Sequence, residues 1–220
     1  MDLKKKRPLK RKTPARVKAY HHGDLAVALV DAAETVLTER GVEGFTLREC
    51  ARRAGVSHAA PAHHFKDAKG LLTEVAALGY ERLTEAERKA REEEADPKDR
   101  LLGTGIGYVR FALSHPAQFQ LMFQRSLIDR TNARFIAASR AAFQVFIETY
   151  IEAFGTNFPA GMDRDTDPSV MREWALVHGF ATLAVQGQLG PTDTTADIAK
   201  LMAFTRTVFE SARKYGQPLR

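Results

Sequence analysis

Ser57, His58, Ala59, Ala62 and His63 put hydroxyl, imidazole and methyl groups within one short stretch of chain. Hydroxyl and imidazole groups exchange hydrogen bonds with base edges and phosphate oxygens, and alanines let a helix enter the major groove closely. At helical spacing these five side chains form one outward surface. Such a surface suits recognition of nucleic acid rather than the making of bonds. With His64, the histidines also invite a metal site, but spacings of five and six from His58 do not bring three ligands to one helix face. The nearby carboxylates Glu49 and Asp67 belong to helix starts, and no nucleophile–base pair stands out. No metal or cofactor is expected, and an enzyme is the weakest reading.

The elements that position this surface are legible on either side of it. Leu47, Cys50, Ala51 and Ala54 fall at i, i+3, i+4 and i+7, one face of a helix. Thr46 caps that helix, and Glu49 three residues later completes a capping box. Gly55 ends it where a left-handed backbone suits glycine. Val56 follows as a buried plug, Ser57 is the expected N-cap of the next helix, and Pro61 sits in or just after its first turn. Phe65 closes the unit as a core anchor. Two short helices joined by a tight turn make a helix-turn-helix.

Charge places a second feature beside it. Residues 1–18 hold nine Lys or Arg (Lys4, Lys5, Lys6, Arg7, Lys10, Arg11, Lys12, Arg16 and Lys18) against Asp2 alone. With no apolar periodicity and two prolines, this arm cannot bury a core and is expected to be disordered by itself. It is a natural ligand for phosphate or the minor groove. Residues 1–66 carry 14 basic and 7 acidic side chains, whereas 67–220 carry 19 and 20, so the formal +6 arises in the N-terminal third. Residues 19–66 hold 5 basic and 6 acidic groups, which leaves the reading head almost neutral and the excess in the arm.

The remaining chain reads as helices, about nine in all, for an all-α protein. The first spans Gly23 to Arg40. Asp67 caps another that runs to a charged stretch at 85–94, which reads as a solvated helix end. Asp96-Pro97 opens the next, about 101–114, and further helices fall near 116–123, 131–154, 169–189 and 193–215, with a loop at 155–168. Apolar runs are too short to span a bilayer, and no signal peptide is evident. The single cysteine excludes an internal disulfide framework and fits a reducing cytoplasm. Cys50 lies on its helix's apolar face and reads as a small core residue.

The chain resembles the TetR family of transcriptional regulators. Thr46, Leu47, Arg48, Glu49, Ala51, Ala54, Gly55, Val56, Ser57, His64, Phe65 and Lys69 stand at the places of the family's N-terminal signature. Tyr20-His21-His22-Gly23, the segment 115–123, and Trp174-x-x-Val177-His178-Gly179 resemble a subgroup named for a C-terminal Trp-His-Gly motif. One departure is local: many relatives carry a phosphate-binding tyrosine where Ala62 stands, and Pro61 replaces the usual aliphatic residue.

The resemblance implies a basic arm at 1–19, a three-helix DNA-binding domain at 20–67, a connecting helix at 68–95 and a helical effector-binding and dimerisation domain at 96–220. It adds Thr46, Arg48, His64 and Lys69 to the DNA-contacting set. It implies a cytoplasmic homodimer, paired through the last two helices, that binds a palindromic double-stranded DNA operator. A small, mainly apolar effector would release the operator, most such proteins being repressors. Phe111, Phe119, Met122, Phe123, Phe143, Trp174 and His178 are the candidate pocket residues, apolar surface with one placed polar group. Trp174 and His178 share a helix face at i, i+4. The alternative is a helical adaptor with a basic tail. A gel shift with competitor DNA separates the two, because an adaptor prefers no sequence.

Overall fold

The computed structural model describes residues 22–155 and 167–215. They form nine helices and no strand. The basic residues of the arm, Lys4, Lys5, Lys6, Arg7, Lys10, Arg11 and Lys12 among them, lie outside the described residues.

Helix α1 (His22–Arg40) buries Leu29, Ala33, Val36 and Leu37 along one stripe. It packs on α2 (Leu47–Arg53), α4 (Ala68–Glu92) and α6 (Pro116–Met122). Helix α3 (Ala60–Phe65) sits between α2 and α4. Polar side chains fix most helix starts by accepting from otherwise orphaned backbone N–H groups. Asp67 accepts from Gly70 N at 2.8 Å to begin α4, and Asp96 accepts from Lys98 N at 2.8 Å to begin α5 (Pro97–Ser114). Asn132 accepts from Phe135 N at 3.0 Å to begin α7 (Ala133–Phe154). Asp167 accepts from Ser169 N at 2.8 Å to begin α8 (Pro168–Val185). Thr194 accepts from Asp197 N at 3.1 Å ahead of α9 (Thr195–Tyr215). Of the expected loop at 155–168, positions 156–166 lie outside the described residues.

Helices α4 and α5 form the centre, with α7, α8 and α9 packed around α5 and α7 also against α4. Their backbones touch because of Gly103 and Gly107. A Cβ at either position would stand 2.5 Å from a main-chain oxygen of α4, Ala90 O or Ala86 O. Long ion pairs lash the layers: Glu152 of α7 holds Arg91 of α4 at 2.6 Å and also Arg100 of α5, while Arg206 of α9 reaches Glu94 at 2.6 Å.

One expectation fails here with consequence. The stretch 85–94 is not a solvated helix end throughout, since Glu87 is 2% exposed and Ala90 is buried with it. Both continue the apolar stripe of α4 through Val75 and Leu83, so α5 covers them.

Candidate nucleic-acid interface and ligand cavity

The helix-turn-helix is built by local chemistry. Thr46 Oγ1 accepts from Glu49 N at 3.2 Å, which fixes the start of α2. Glu49 does not complete the capping box. Its carboxylate instead takes hydrogen bonds from Arg52 at 2.8 Å and Arg53 at 2.9 Å, two charged donors that outcompete a single main-chain N–H. These bonds hold its pKa down to about 2. Gly55, at φ +68, ends α2, and Val56 N closes back to Ala51 O at 3.0 Å. Val56 is half-buried rather than sealed in, and Phe65 packs partly buried against the core. Cys50 is fully buried, and burial pushes its thiol up to about 11, the behaviour of a core residue.

Ser57 does not cap the second helix. Regular α3 starts at Ala60, its N-cap position is Ala59, and no side chain caps it. Residues 57–59 form a turn closed by Ala60 N to Ser57 O at 3.0 Å, so the main-chain oxygen of Ser57 is used and its hydroxyl is left for other contacts. Pro61 occupies the first turn and is buried.

The outward surface is otherwise as spaced. Thr46, Arg48, Ser57, His58, Ala59, Ala62, His63 and Lys69 are all exposed. His64 is half-buried, its ring between those of His63 and Phe65 at 6.0 and 6.1 Å. The head's basic residues divide into two sets. Arg40, Arg52 and Arg53 are committed to carboxylates of the head itself, all three to Glu49 and Arg53 also to Glu39 at 2.5 Å. Arg48, Lys66 and Lys69 make no ion pair among the described residues. Lys66 was not among the sequence candidates. It stands at φ +73, a conformation rare for a residue with a Cβ, in a tight turn closed by Asp67 N to Phe65 O at 2.8 Å. A Cβ at Gly70 would lie 1.9 Å from Phe65 O, so this turn requires glycine there. The α3–α4 angle is fixed by that contact, and with it the presentation of Lys66 and Lys69.

The larger part of the fold carries an open-mouthed cavity of about 290 Å³, lined by Leu83, Glu87, Tyr108, Phe123, Phe143 and Trp174 among others. A second chamber of about 340 Å³ shares Tyr80, Phe123, Ser139 and Trp174 and includes Met122, Arg125 and Arg130. Four of the seven sequence candidates, Met122, Phe123, Phe143 and Trp174, therefore line cavity. His178 stands immediately behind it, stacked on Trp174 at 5.1 Å, edge-on to Phe123 at 4.4 Å, and hydrogen-bonded through Nδ1 to Tyr108 Oη at 2.8 Å. Burial lowers the His178 pKa, which favours the neutral ring. Phe111 and Phe119 line neither chamber: Phe111 stacks on His115 at 5.2 Å, and Phe119 packs edge-on to Tyr108 at 5.8 Å.

Sequence reasoning missed Tyr80, Glu87 and Tyr108. The signal was present for Glu87, which falls at i+4 from Leu83 and i−3 from Ala90 on the buried stripe of α4. Among the described residues no group of three or more His, Cys, Asp or Glu is placed to hold a metal. No described helix is long and apolar enough to cross a membrane.

A polar bridge joins head and cavity layers. Arg82 of α4 donates to both carboxylate oxygens of Glu34 in α1, one of them at 3.1 Å, and to Gln118 Oε1 of α6 at 3.0 Å. Gln118 returns Nε2 bonds to Glu34 at 2.7 Å and to Val75 O at 2.8 Å.

A helix-turn-helix reading head joined to a larger helical layer is the architecture of a DNA-binding regulator. Residues 29–75 match the model of the bacterial regulatory proteins of the tetR family, and residues 101–207 match the tetracyclin repressor-like C-terminal domain. The chain belongs to the TetR family of DNA-binding transcriptional regulators. A solved structure of a protein with unknown function from Rhodococcus sp. RHA1 is 33% identical, with 88% of this chain and 97% of that chain covered and a TM-score of 0.67. The TetR family transcriptional regulator PfmR from Thermus thermophilus shares the fold at 20% identity and TM-score 0.59, covering 83% of this chain and 94% of its own. The fatty acid degradation regulator FadR from Bacillus halodurans does so at 14% identity and TM-score 0.59, covering 83% and 96%. No curated protein matches the chain.

Proposed function

We propose that this protein is a ligand-responsive repressor that binds a palindromic operator as a homodimer and leaves it when a small, mainly apolar effector fills the cavity. The observation that carries this reading is α4. It is one uninterrupted helix of 25 residues, about 37 Å long at 1.5 Å per residue. Lys69 stands at its head end, and Tyr80, Leu83 and Glu87 stand in the cavity. A ligand that favours a different position of α4 shifts the head through the same rigid rod and the Glu34–Arg82–Gln118 bridge, by its differential affinity for two arrangements.

Dimerisation through α8 and α9 is supported by exposed apolar residues on both. Phe204 is 50% exposed and Leu183 45% exposed, large apolar surface that a second copy would cover. Thr46, Arg48, Ser57, His58, Ala59, Ala62, His63, His64, Lys66 and Lys69 are the DNA-facing set, with the basic arm supplying phosphate contacts. The Trp174–His178 stack is consistent with the Trp-His-Gly subgroup. Footprinting on DNA flanking the gene tests the reading. Two protected half-sites centred about 34 Å apart are expected. Light scattering should give twice the chain mass, and Phe204→Glu should give a monomer with weakened operator binding. A monomeric wild type, or protection without sequence preference, would sink it.

A further inference from the structure

Glu87 is the anomaly of the cavity. A carboxyl group at 2% exposure would ordinarily be paired, yet its Oε2 has no hydrogen-bond partner among the described residues. Leaving such an atom unsatisfied is costly, because its hydration is lost and nothing replaces it. Nothing in the packing of α4 requires an acid there, since a leucine would continue the stripe of Val75 and Leu83 at no such cost. Burial drives the carboxyl pKa well above its ordinary range, with Arg88 opposing. The Tyr108 hydroxyl lines the same chamber, but its hydrogen bond is with His178 Nδ1 at 2.8 Å and not with Glu87.

The surroundings indicate what the missing partner is. Glu87 shares its chamber with Tyr80, Tyr108, Phe123, Phe143 and Trp174, whose ring faces attract cations. A carboxyl group without a donor, lined by aromatic rings, is complementary to a protonated nitrogen on an apolar body, whose charge offsets the burial that otherwise keeps the acid protonated. We infer that the cavity takes an organic amine, its ammonium group donating to Glu87 and its hydrocarbon or aromatic body packed on the surrounding rings. The inference rests on the effector-pocket reading above and names the ligand's class. A ligand carboxylate placed there would have to share one proton with Glu87 and would find no cation among the lining residues. An alcohol would satisfy one lone pair and bring no charge. At about 290 Å³ the chamber suits a body of one or two rings.

Trp174 is the single tryptophan of the chain and lines the cavity, so its fluorescence reports occupancy directly. The full-length protein is titrated with 4-phenylbutylamine, 4-phenylbutan-1-ol and 4-phenylbutyrate, which share one body and differ in the terminal group. The amine should bind at least tenfold more tightly than the alcohol, and the butyrate most weakly. Glu87→Gln, checked for folding by thermal melting, should reduce the amine to the level of the alcohol and leave the alcohol unchanged. Equal affinity of amine and alcohol for the wild type overturns the ammonium assignment while leaving the cavity a ligand site, and this result needs no variant. An amine preference that survives Glu87→Gln overturns it as well. No response of Trp174 to any of the three overturns both the assignment and the effector-pocket reading.

Discussion

Removing the Arg82 guanidinium should loosen the reading head from the cavity layer. Arg82→Met keeps the aliphatic stem in place and leaves Glu34 with Gln118 as its remaining partner in the bridge. Two bonds to a carboxylate and one to an amide are lost. Charge-assisted hydrogen bonds are each worth about 1.5–3 kcal/mol when enclosed, but here Arg82 is 33% and Glu34 20% exposed, so solvent screens part of the gain. The expected net destabilisation is about 2 kcal/mol, between the values for surface and buried pairs. Urea unfolding followed by circular dichroism measures it. A double-mutant cycle with Glu34→Gln should give a coupling of about 1–2 kcal/mol. Because the bridge spans α1, α4 and α6, the variant should also transmit less of any ligand effect to DNA while binding the ligand as before. Additivity of the two substitutions within about 0.5 kcal/mol would refute the reasoning, since residues that do not interact add. So would an Arg82→Met protein whose operator release by ligand is undiminished.

Deleting residues 1–18 should flatten the salt dependence of DNA affinity, by about one unit of log–log slope per phosphate contact removed, while sequence preference survives; an unchanged slope in filter binding would exclude the arm from the interface. Gly107→Ala should cost about 1–3 kcal/mol, because its Cβ would press on Ala86 O at 2.5 Å and Ala90 Cβ at 3.0 Å; an unaltered Tm would mean that α4 and α5 part freely. Glu49, held down to about 2 by Arg52 and Arg53, contributes stability that is present above its ordinary pKa of 4.5 and is lost as pH falls towards 2. Melting curves between pH 5 and 2.5 should therefore fall more steeply for the wild type than for Glu49→Gln, and parallel curves would contradict this. Glu87 has the opposite sign: its raised pKa gives stability present in acid and lost as pH rises, a loss that Glu87→Gln should remove from the melting profile.

What the sequence alone determined was local. Thr46, Gly55, Asp67 and Asp96-Pro97 act on backbone groups within three or four residues, so most helix boundaries and the helix-turn-helix were legible from residue types and spacing. Outward-facing Ser57, His58, Ala59, Ala62 and His63 followed from helical periodicity near a turn. Where two local partners competed, spacing did not decide. Glu49 chose two arginines over the Thr46 main chain, and the turn at 57–59 displaced the cap expected of Ser57. The cavity was legible only in part, because aromatic residues on several helices are equally good core and equally good wall. Which of them meet a void depends on how α4, α5, α7 and α8 pack, and that separated Phe143 and Trp174 from Phe111 and Phe119. Burial of Glu87 was settled by the same packing. Its place in a charged stretch pointed to solvent, and only the close approach of α5 through Gly103 and Gly107 turned that carboxyl inward.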